Sequence, residues 1–158
     1  NNKIIKMINR PKVYISVYIF NNEGNKIIVG KKFDQDTFSV IGAKLEFGEE
    51  FDECAIKLIK NTTNINIQDP DRLKFICTYN AVDKINKNHM VAVDFYLQFT
   101  KQEELNNFKM DIFFYQKWAW MTFEEIEKIY DNLFCSTQIF IKKFDIKNYE
   151  DIKNLNSN

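Results

Sequence analysis

One continuous run in the first half of the chain constrains the fold most. It reads Gly42-Ala43-Lys44-Leu45-Glu46-Phe47-Gly48-Glu49-Glu50-Phe51-Asp52-Glu53-Cys54-Ala55. Residues 38–41 before it are β-branched or aromatic at three of four positions, which is typical of a short strand leading into a turn at the first glycine. Apolar residues at helical spacing continue from 51 to 62, and acidic residues cluster where the helix macrodipole favours them. The run therefore predicts a strand, a loop and a helix in direct succession.

The surrounding sequence alternates between strand and turn patterns. It predicts strands at 13–20, 26–32, 73–80, 89–99 and 117–121, with a hairpin turn at 21–25. Asn64 is suited to a left-handed helix end. Thr122 and Glu125 form a capping box for a short helix at 123–130, and a last helix begins at Ser136 or Thr137 and ends near residue 144. Strands around one central helix predict an α+β or α/β sandwich.

Length and composition indicate one domain. The chain has 158 residues, of which 45% are hydrophobic, enough to bury a substantial core. We expect a single domain over residues 1–145 and a polar C-terminal tail over 146–158, frayed at its end. No apolar stretch reaches the ~18 residues of a membrane helix, and residues 1–7 carry no signal-peptide core, so we expect no membrane association.

Charge and cysteine content narrow the choice of partner and compartment. The 22 basic residues balance the 22 acidic residues, which gives no strong signature of nucleic-acid binding. Cys54, Cys77 and Cys135 are odd in number and widely spaced, a pattern that favours reduced thiols over disulfides or a zinc site. We therefore expect a cytoplasmic or other reducing intracellular compartment.

The run resembles the front half of the Nudix box, the metal-dependent pyrophosphatase motif of MutT-like hydrolases. The family pattern is Gly, five residues, Glu, seven residues, then Arg-Glu-aliphatic-x-Glu-Glu-x-Gly. Without gaps, Ala43 takes the place of the first Gly, Glu49 that of the first Glu and Lys57 that of the Arg. Residues 118–125 resemble the strand and short helix that close the base pocket in MutT-like enzymes. The resemblance spans about residues 10–141 and implies a Nudix-type α/β/α sandwich with a mixed β-sheet.

The back half of the box departs from the family pattern. Leu58, Asn61 and Thr62 stand where the resemblance places three metal-binding glutamates. Leucine cannot bind a hard cation, and the neutral oxygens of Asn and Thr are weaker ligands than carboxylates. We expect no intact catalytic residue, no metal and no cofactor at these positions, and hydrolysis by the family mechanism lost.

Acidic residues of the loop offer an alternative. Glu46, Glu49 and Glu50 could build an unorthodox site for Mg²⁺ or Mn²⁺. The simpler interpretation is that the acids stabilise the N-terminus of the helix and that Glu53 pairs with Lys57 at i,i+4.

Several other side chains are candidates for ligand binding. Asp94 lies on the mixed face of its strand, where it either faces the pocket or takes an edge-strand position in solvent. The two tryptophans lie on one side of their strand and either pack in the core or stack on a base. Two lysines resemble basic positions near the substrate phosphates of the family. The candidate set is Lys32, Gly42, Ala43, Lys44, Asp94, Trp118 and Trp120.

Three functions follow from these observations. The first is a catalytically silent Nudix-fold protein, a pseudoenzyme that binds a nucleotide-like ligand or a protein partner. The second is an active hydrolase that cleaves nucleoside di- or triphosphates with a metal held by Glu46, Glu49 and Glu50. The third is a structural scaffold subunit, for which we expect a large exposed apolar patch.

Overall fold

The computed structural model describes residues 10–155, so the expectations for residues 1–7 and for the last three residues of the tail lie outside the described part of the chain. Within it, seven strands and five α-helices follow in this order: β1 (Lys12–Phe20), β2 (Ile27–Lys32), β3 (Phe38–Ser39), β4 (Ile41–Lys44), α1 (Phe51–Thr63), β5 (Lys74–Asp83), β6 (Asn88–Gln98), α2 (Gln102–Asn107), β7 (Tyr115–Met121), α3 (Phe123–Lys128), α4 (Cys135–Lys143) and α5 (Tyr149–Asn154). Two 3₁₀ turns cover Pro70–Arg72 and Tyr130–Asn132.

The strands form one mixed sheet centred on β1. Its order is β3-β2-β1-β6-β5, with β4 paired to β1 and β7 paired to β2. β1 runs parallel to β6 along its whole length and antiparallel to β2 and β4. Six consecutive residues of β1 are buried, as expected for a strand covered on both faces. The mixed sheet predicted from the sequence is confirmed.

Helices cover both faces of the sheet. Ile15, Val17 and Ile19 of β1 face α1 and pack with its residues Leu58 and Ile59. The alternate residues of β1 face α3, α4 and α5 and pack with a cluster that includes Tyr18, Phe20, Phe123, Phe140 and Ile152. The strand period of two thus divides the core into two layers, which confirms the α/β/α sandwich.

The strand–loop–helix unit forms as predicted, with one correction. Asn64 ends α1 at φ 62°, the expected left-handed conformation, and its N–H donates to the carbonyl of Lys60 at 3.0 Å. Gly42 was expected in a turn but lies inside β4, opposite Ser16 of β1, because the chain changes partner strand at Val40. Phe51 was expected on the buried stripe of α1 and is instead exposed at the first turn.

The expectation of a frayed polar tail is wrong for the described residues after 145. Ile146 and Ile152 are buried in the layer of α3 and α4, and α5 occupies 149–154. The side chain of Asn148 caps α5 by accepting the N–H of Glu150 at 2.9 Å. Apolar residues at 146, 149 and 152 repeat every three positions, the helical signal that the polar composition concealed.

Candidate functional site

A cavity of about 240 Å³ lies beside the helix of the box, and we call it the box cavity. It is lined by Lys32, Gly42, Ala43, Leu58, Asn61, Thr62, Phe114 and Tyr115. Three of the predicted ligand-binding residues therefore lie together with all three positions at which the box resemblance places glutamates. The three positions come from α1, where residues three and four apart share a face.

The cation of the box cavity is Lys32, at the end of β2. Its ammonium donates to the carbonyl of Gly42 at 2.9 Å and lies 5.9 Å from the centre of the Tyr115 ring. Burial lowers the pKa of Lys32, and the exposed carboxylate of Asp34 opposes that shift only in part. An ammonium has three donors, so the bond to Gly42 fixes its position and leaves donors for a ligand.

Two hydroxyl groups add polarity to the otherwise apolar walls. Tyr115 is 5% exposed, and burial raises the pKa of its hydroxyl. That hydroxyl lies near the equally buried Thr62 but makes no hydrogen bond within residues 10–155. Leu58 packs in the core with 8% exposure. None of the described residues that line the cavity carries a carboxylate, so these residues do not supply the hard anionic oxygens that Mg²⁺ or Mn²⁺ requires.

The acids of the loop are engaged with the start of α1. The carboxylate of Glu49 pairs with Lys57 and accepts the N–H of Glu46 at 3.1 Å, and the Lys57 ammonium lowers its pKa. Glu50 is the N-cap residue of α1, and its N–H donates to the carboxylate of Glu53 at 3.3 Å. The expected Glu53–Lys57 pair is wrong, because Glu53 turns back to the N-cap and leaves Lys57 to Glu49.

Asp94 lies on the opposite face of the sheet from the box cavity. It is completely buried, because β6 is an interior strand between β1 and β5 rather than an edge strand. Its Oδ2 atom is 2.9 Å from the Tyr79 hydroxyl, which is also 3.0 Å from the carbonyl of Ser136. Burial raises the pKa of Asp94 to about 7. The edge-strand interpretation is therefore wrong.

The geometry around Tyr79 explains how a protonated Asp94 fits. A phenol has one proton, yet the Tyr79 hydroxyl lies within bonding distance of two oxygens that are acceptors when Asp94 is ionised. If the Asp94 carboxyl group carries its proton, it donates to Tyr79, which then donates to Ser136. The neutral acid therefore satisfies both contacts at once.

A small polar cavity of about 30 Å³ lies under the start of α4, and we call it the Thr137 cavity. It is lined by Tyr14, Ser16, Lys32, Gln35, Ser39, Val40, Gly42, Phe134, Ser136 and Thr137. Gln35 Oε1, Thr137 Oγ1 and the nearby Asp94 Oδ1 are buried without a hydrogen-bond partner in the described part of the chain. Buried polar atoms are normally paired, so this cluster has unused capacity to bind polar groups. The volume suits one or two water molecules.

The remaining predicted residues lie elsewhere. Trp120 lines a separate cavity of about 320 Å³ with Phe99, Leu105 and Phe108, and Trp118 is 40% exposed. Both indoles pack against Phe108, at 5.2 and 5.6 Å between ring centres. Lys44 is exposed at the end of β4 and lines none of these cavities.

Comparison with solved structures gives the fold. A MutT NUDIX hydrolase from Burkholderia pseudomallei matches with a TM-score of 0.67 and 15% identity, over 84% of this chain and 97% of that one. The chain has the Nudix fold. The dihydroneopterin triphosphate pyrophosphohydrolase of E. coli matches at 0.63 and 16%, over 88% and 97%. The NUDIX domain of Shewanella oneidensis NrtR, solved with ADP ribose, matches at 0.63 and 11%, over 90% and 91%. No protein-family model matches the sequence.

Across residues 10–155, no group of three or more His, Cys, Asp or Glu side chains is placed to hold a metal ion. Nor does this range contain a helix with the length and apolar character that a membrane span requires.

Sequence reasoning missed Tyr115, Gln35 and Thr137 as cavity residues. Of these three residues, only Tyr115 could have been identified from the sequence, because it ends an aromatic run just before a predicted strand.

Proposed function

We propose that this protein is a Nudix-fold binder of a nucleotide-like ligand that lacks metal-dependent pyrophosphatase activity. The observation that carries the proposal is the chemistry of the box cavity. One lysine, two hydroxyls, an amide and apolar walls stand where the box resemblance places a cluster of carboxylates. Pyrophosphate cleavage needs a divalent ion to neutralise phosphate charge and activate water, and these residues do not fit that ion.

The contacts of the loop acids argue against the active-hydrolase alternative. Glu49 is held by Lys57 and by a backbone N–H, and Glu50 caps α1. A metal at Glu49 would have to displace the Lys57 ammonium and compete with the N–H of Glu46. None of the three loop acids lines the box cavity, so a metal bound to them would lie outside it.

The nucleotide class rests on two supports. The Nudix neighbours bear names of nucleotide-related enzymes, and one was solved with ADP ribose. In this chain, the unpaired acceptors at the Thr137 cavity suit the N–H groups of a base, and Lys32 lines both this cavity and the box cavity. A phosphate at Lys32 would place the nucleoside toward α4. Because the Thr137 cavity is small, a base requires α4 to move outward on binding.

The test measures binding and turnover separately. We expect nucleoside mono-, di- and triphosphates or ADP ribose to raise the melting temperature without Mg²⁺, and Mg²⁺-dependent phosphate release to be absent. A ligand at a hundred times its Kd stabilises by about 2.7 kcal/mol, or roughly 5–10 °C for a chain of this size. Thr137→Val tests the second cavity, since it keeps the shape of the side chain but removes the unpaired hydroxyl, and it should weaken binding.

Introducing carboxylates at positions 58, 61 and 62 tests whether their absence explains the expected lack of hydrolysis. The triple variant Leu58→Glu, Asn61→Glu, Thr62→Glu should gain measurable Mg²⁺-dependent hydrolysis, at a cost in stability because Leu58 and Thr62 are buried. Losing one preorganised charge-stabilising group typically costs ~10²–10³ in rate, so the unmodified protein should lie several orders of magnitude below a family enzyme. Robust Mg²⁺-dependent hydrolysis by the unmodified protein would overturn the proposal.

A second candidate, protein binding as a scaffold, is favoured by an exposed apolar patch. Phe33, Ile112, Phe113 and Phe114 are each more than 60% exposed, and the N–H of Phe33 donates to the carbonyl of Phe114 at 3.2 Å. Single exposed apolar residues are common, but four adjacent ones are typical of an interaction surface. If no nucleotide shifts the melting temperature and Phe113→Ser abolishes co-purification of a partner, the scaffold function replaces the first proposal.

A further inference from the structure

We propose that the box cavity is a binding site for a small organic anion that has one charged group, a carboxylate or a phosphate monoester, attached to an apolar body. This goes beyond the proposed function, because the site needs no nucleoside. Four observations carry it: the charge of the cavity, its walls, its volume and its unpaired hydroxyl group.

The charged residues that line the box cavity determine how much negative charge a ligand can carry. Lys32 is the one cation among the described residues that line the cavity, and no lining carboxylate repels an anion. A diphosphate would bring several negative charges against a single ammonium, which compensates only part of that charge. A carboxylate has a single negative charge, which Lys32 alone matches through a charge-assisted hydrogen bond, and a phosphate monoester exceeds that match by at most one charge.

The walls of the box cavity determine the polarity and size of the remainder of the ligand. Ala43, Leu58, Phe114 and the ring of Tyr115 give the cavity a mainly apolar surface. An apolar cavity of ~150 Å³ in another protein is large enough for benzene. The box cavity, at about 240 Å³, therefore has room for one aromatic ring or a short alkyl chain together with its anionic group.

The hydroxyl groups of Tyr115 and Thr62 determine how the ligand is oriented. The buried Tyr115 hydroxyl makes no hydrogen bond within the described residues and lies near Thr62. A buried hydroxyl without a hydrogen bond destabilises the protein. A ligand that accepts a hydrogen bond from this hydroxyl therefore binds with a more favourable free energy. Lys32 and Tyr115 are already held together, since the ammonium lies over the ring and bonds to Gly42. The ammonium and the Tyr115 ring therefore already occupy fixed positions in the wall of the cavity before the ligand arrives.

The framework around Tyr115 keeps this arrangement rigid. The ring of Tyr115 lies against Gly30 of β2, so closely that a Cβ at that position would stand 2.5 Å from Cδ1 of the ring. The N–H of Tyr115 donates to the carbonyl of Asp111 at 3.2 Å. The N–H of Asp111 in turn donates to the carbonyl of Thr62 at 2.8 Å, which fastens this segment to the end of α1.

The experiment uses the unmodified chain and small probes measured by titration calorimetry and ligand-observed NMR. Benzoate, hexanoate and phenyl phosphate are the singly headed anions, benzamide is the neutral isostere of benzoate, and pyrophosphate with Mg²⁺ is the polyanion. We expect the apolar anions to bind with Kd values in the millimolar range or below, at least tenfold tighter than benzamide. Pyrophosphate with Mg²⁺ should bind more weakly than phenyl phosphate.

Variants locate the site. Lys32→Met removes the charge and keeps the aliphatic stem, and it should weaken benzoate at least tenfold. Lys44→Met, at an exposed lysine outside the cavity, is the matched control and should leave binding unchanged. Tyr115→Phe should weaken benzoate severalfold, and Leu58→Glu, which places a negative charge in the wall, should abolish binding.

Three results would overturn the inference. They are no binding of any apolar anion, equal binding of benzoate and benzamide, or equal effects of Lys32→Met and Lys44→Met. If Lys32→Met does not fold, the benzoate–benzamide comparison on the unmodified chain still decides. Nucleotide binding without probe binding contradicts this inference alone, and probe binding without nucleotide binding contradicts the proposed function alone.

Discussion

Replacing Asp94 by Asn should remove a loss of stability that occurs as pH rises. The carboxyl group is completely buried, and burial raises its pKa from 3.8 to about 7. A group whose pKa is higher in the folded state contributes stability that is fully present below its unfolded pKa. That contribution is lost as pH rises through the folded pKa. Relative to Asp94→Asn, the unmodified protein should therefore lose stability between about pH 4 and pH 7.

The size of the effect follows from the two pKa values. The interval from 3.8 to about 7 corresponds to about 4 kcal/mol at 1.36 kcal/mol per pKa unit, an upper estimate. For a chain of this size that is roughly 10 °C in melting temperature. The asparagine Nδ2 can donate to Tyr79 in place of the protonated carboxyl group, so the variant should equal the unmodified protein near pH 4 and exceed it at pH 8.

Urea unfolding of both proteins from pH 4 to pH 8 measures the difference directly. Asp83→Asn serves as the control, because the Asn86 backbone N–H lowers the pKa of Asp83 and its stability contribution has the opposite sign. Parallel pH curves for Asp94→Asn and the unmodified protein would refute the reasoning, since they would show that Asp94 ionises equally easily in both states.

Three further substitutions test the framework by urea unfolding. Gly30→Ala should cost about 1–3 kcal/mol because its Cβ would overlap the Tyr115 ring, and unchanged stability would show that the ring moves freely. Asn64→Ala should cost about 1 kcal/mol at φ 62° whereas Asn64→Gly should not, and equal costs would contradict a left-handed cap. Arg72→Ala leaves the Glu104 carboxylate, 5% exposed, without its cation and should cost about 3 kcal/mol at pH 7. That cost should shrink as acid protonates Glu104, whose folded pKa is lowered.

Local patterns in the sequence predicted those helices and strands whose structure depends on residues close to one another in the sequence. The strand residues of β1 and β6, the acidic start of α1 and the capping box at Thr122 each depend on neighbours in sequence, and each prediction was confirmed. The short helices α2 and α5 were missed, since they are polar six-residue segments whose stability comes from contacts such as Ile152 with the core.

The candidate site was only partly predictable, because cavities depend on which strands become neighbours. The box motif located Lys32, Gly42, Ala43 and the three substituted positions, and these do meet. It could not reveal Tyr115, which reaches the cavity because β7 pairs with β2. Nor could it reveal that Asp94 is buried, since burial follows from the interior position of β6 and the cover of α4.

The position of α5 has a consequence for how this domain assembles. The N–H of Tyr149 donates to the carbonyl of Gly24 at 2.7 Å, and its ring packs edge-on against Phe20 and Tyr96. A segment that is synthesised after all seven strands thus completes a hydrophobic layer to which β1 contributes. Contacts between such distant parts of a chain slow folding, because the intervening loop must close first. A nascent chain halted before Ile152 should expose that layer and depend on chaperones until α5 emerges.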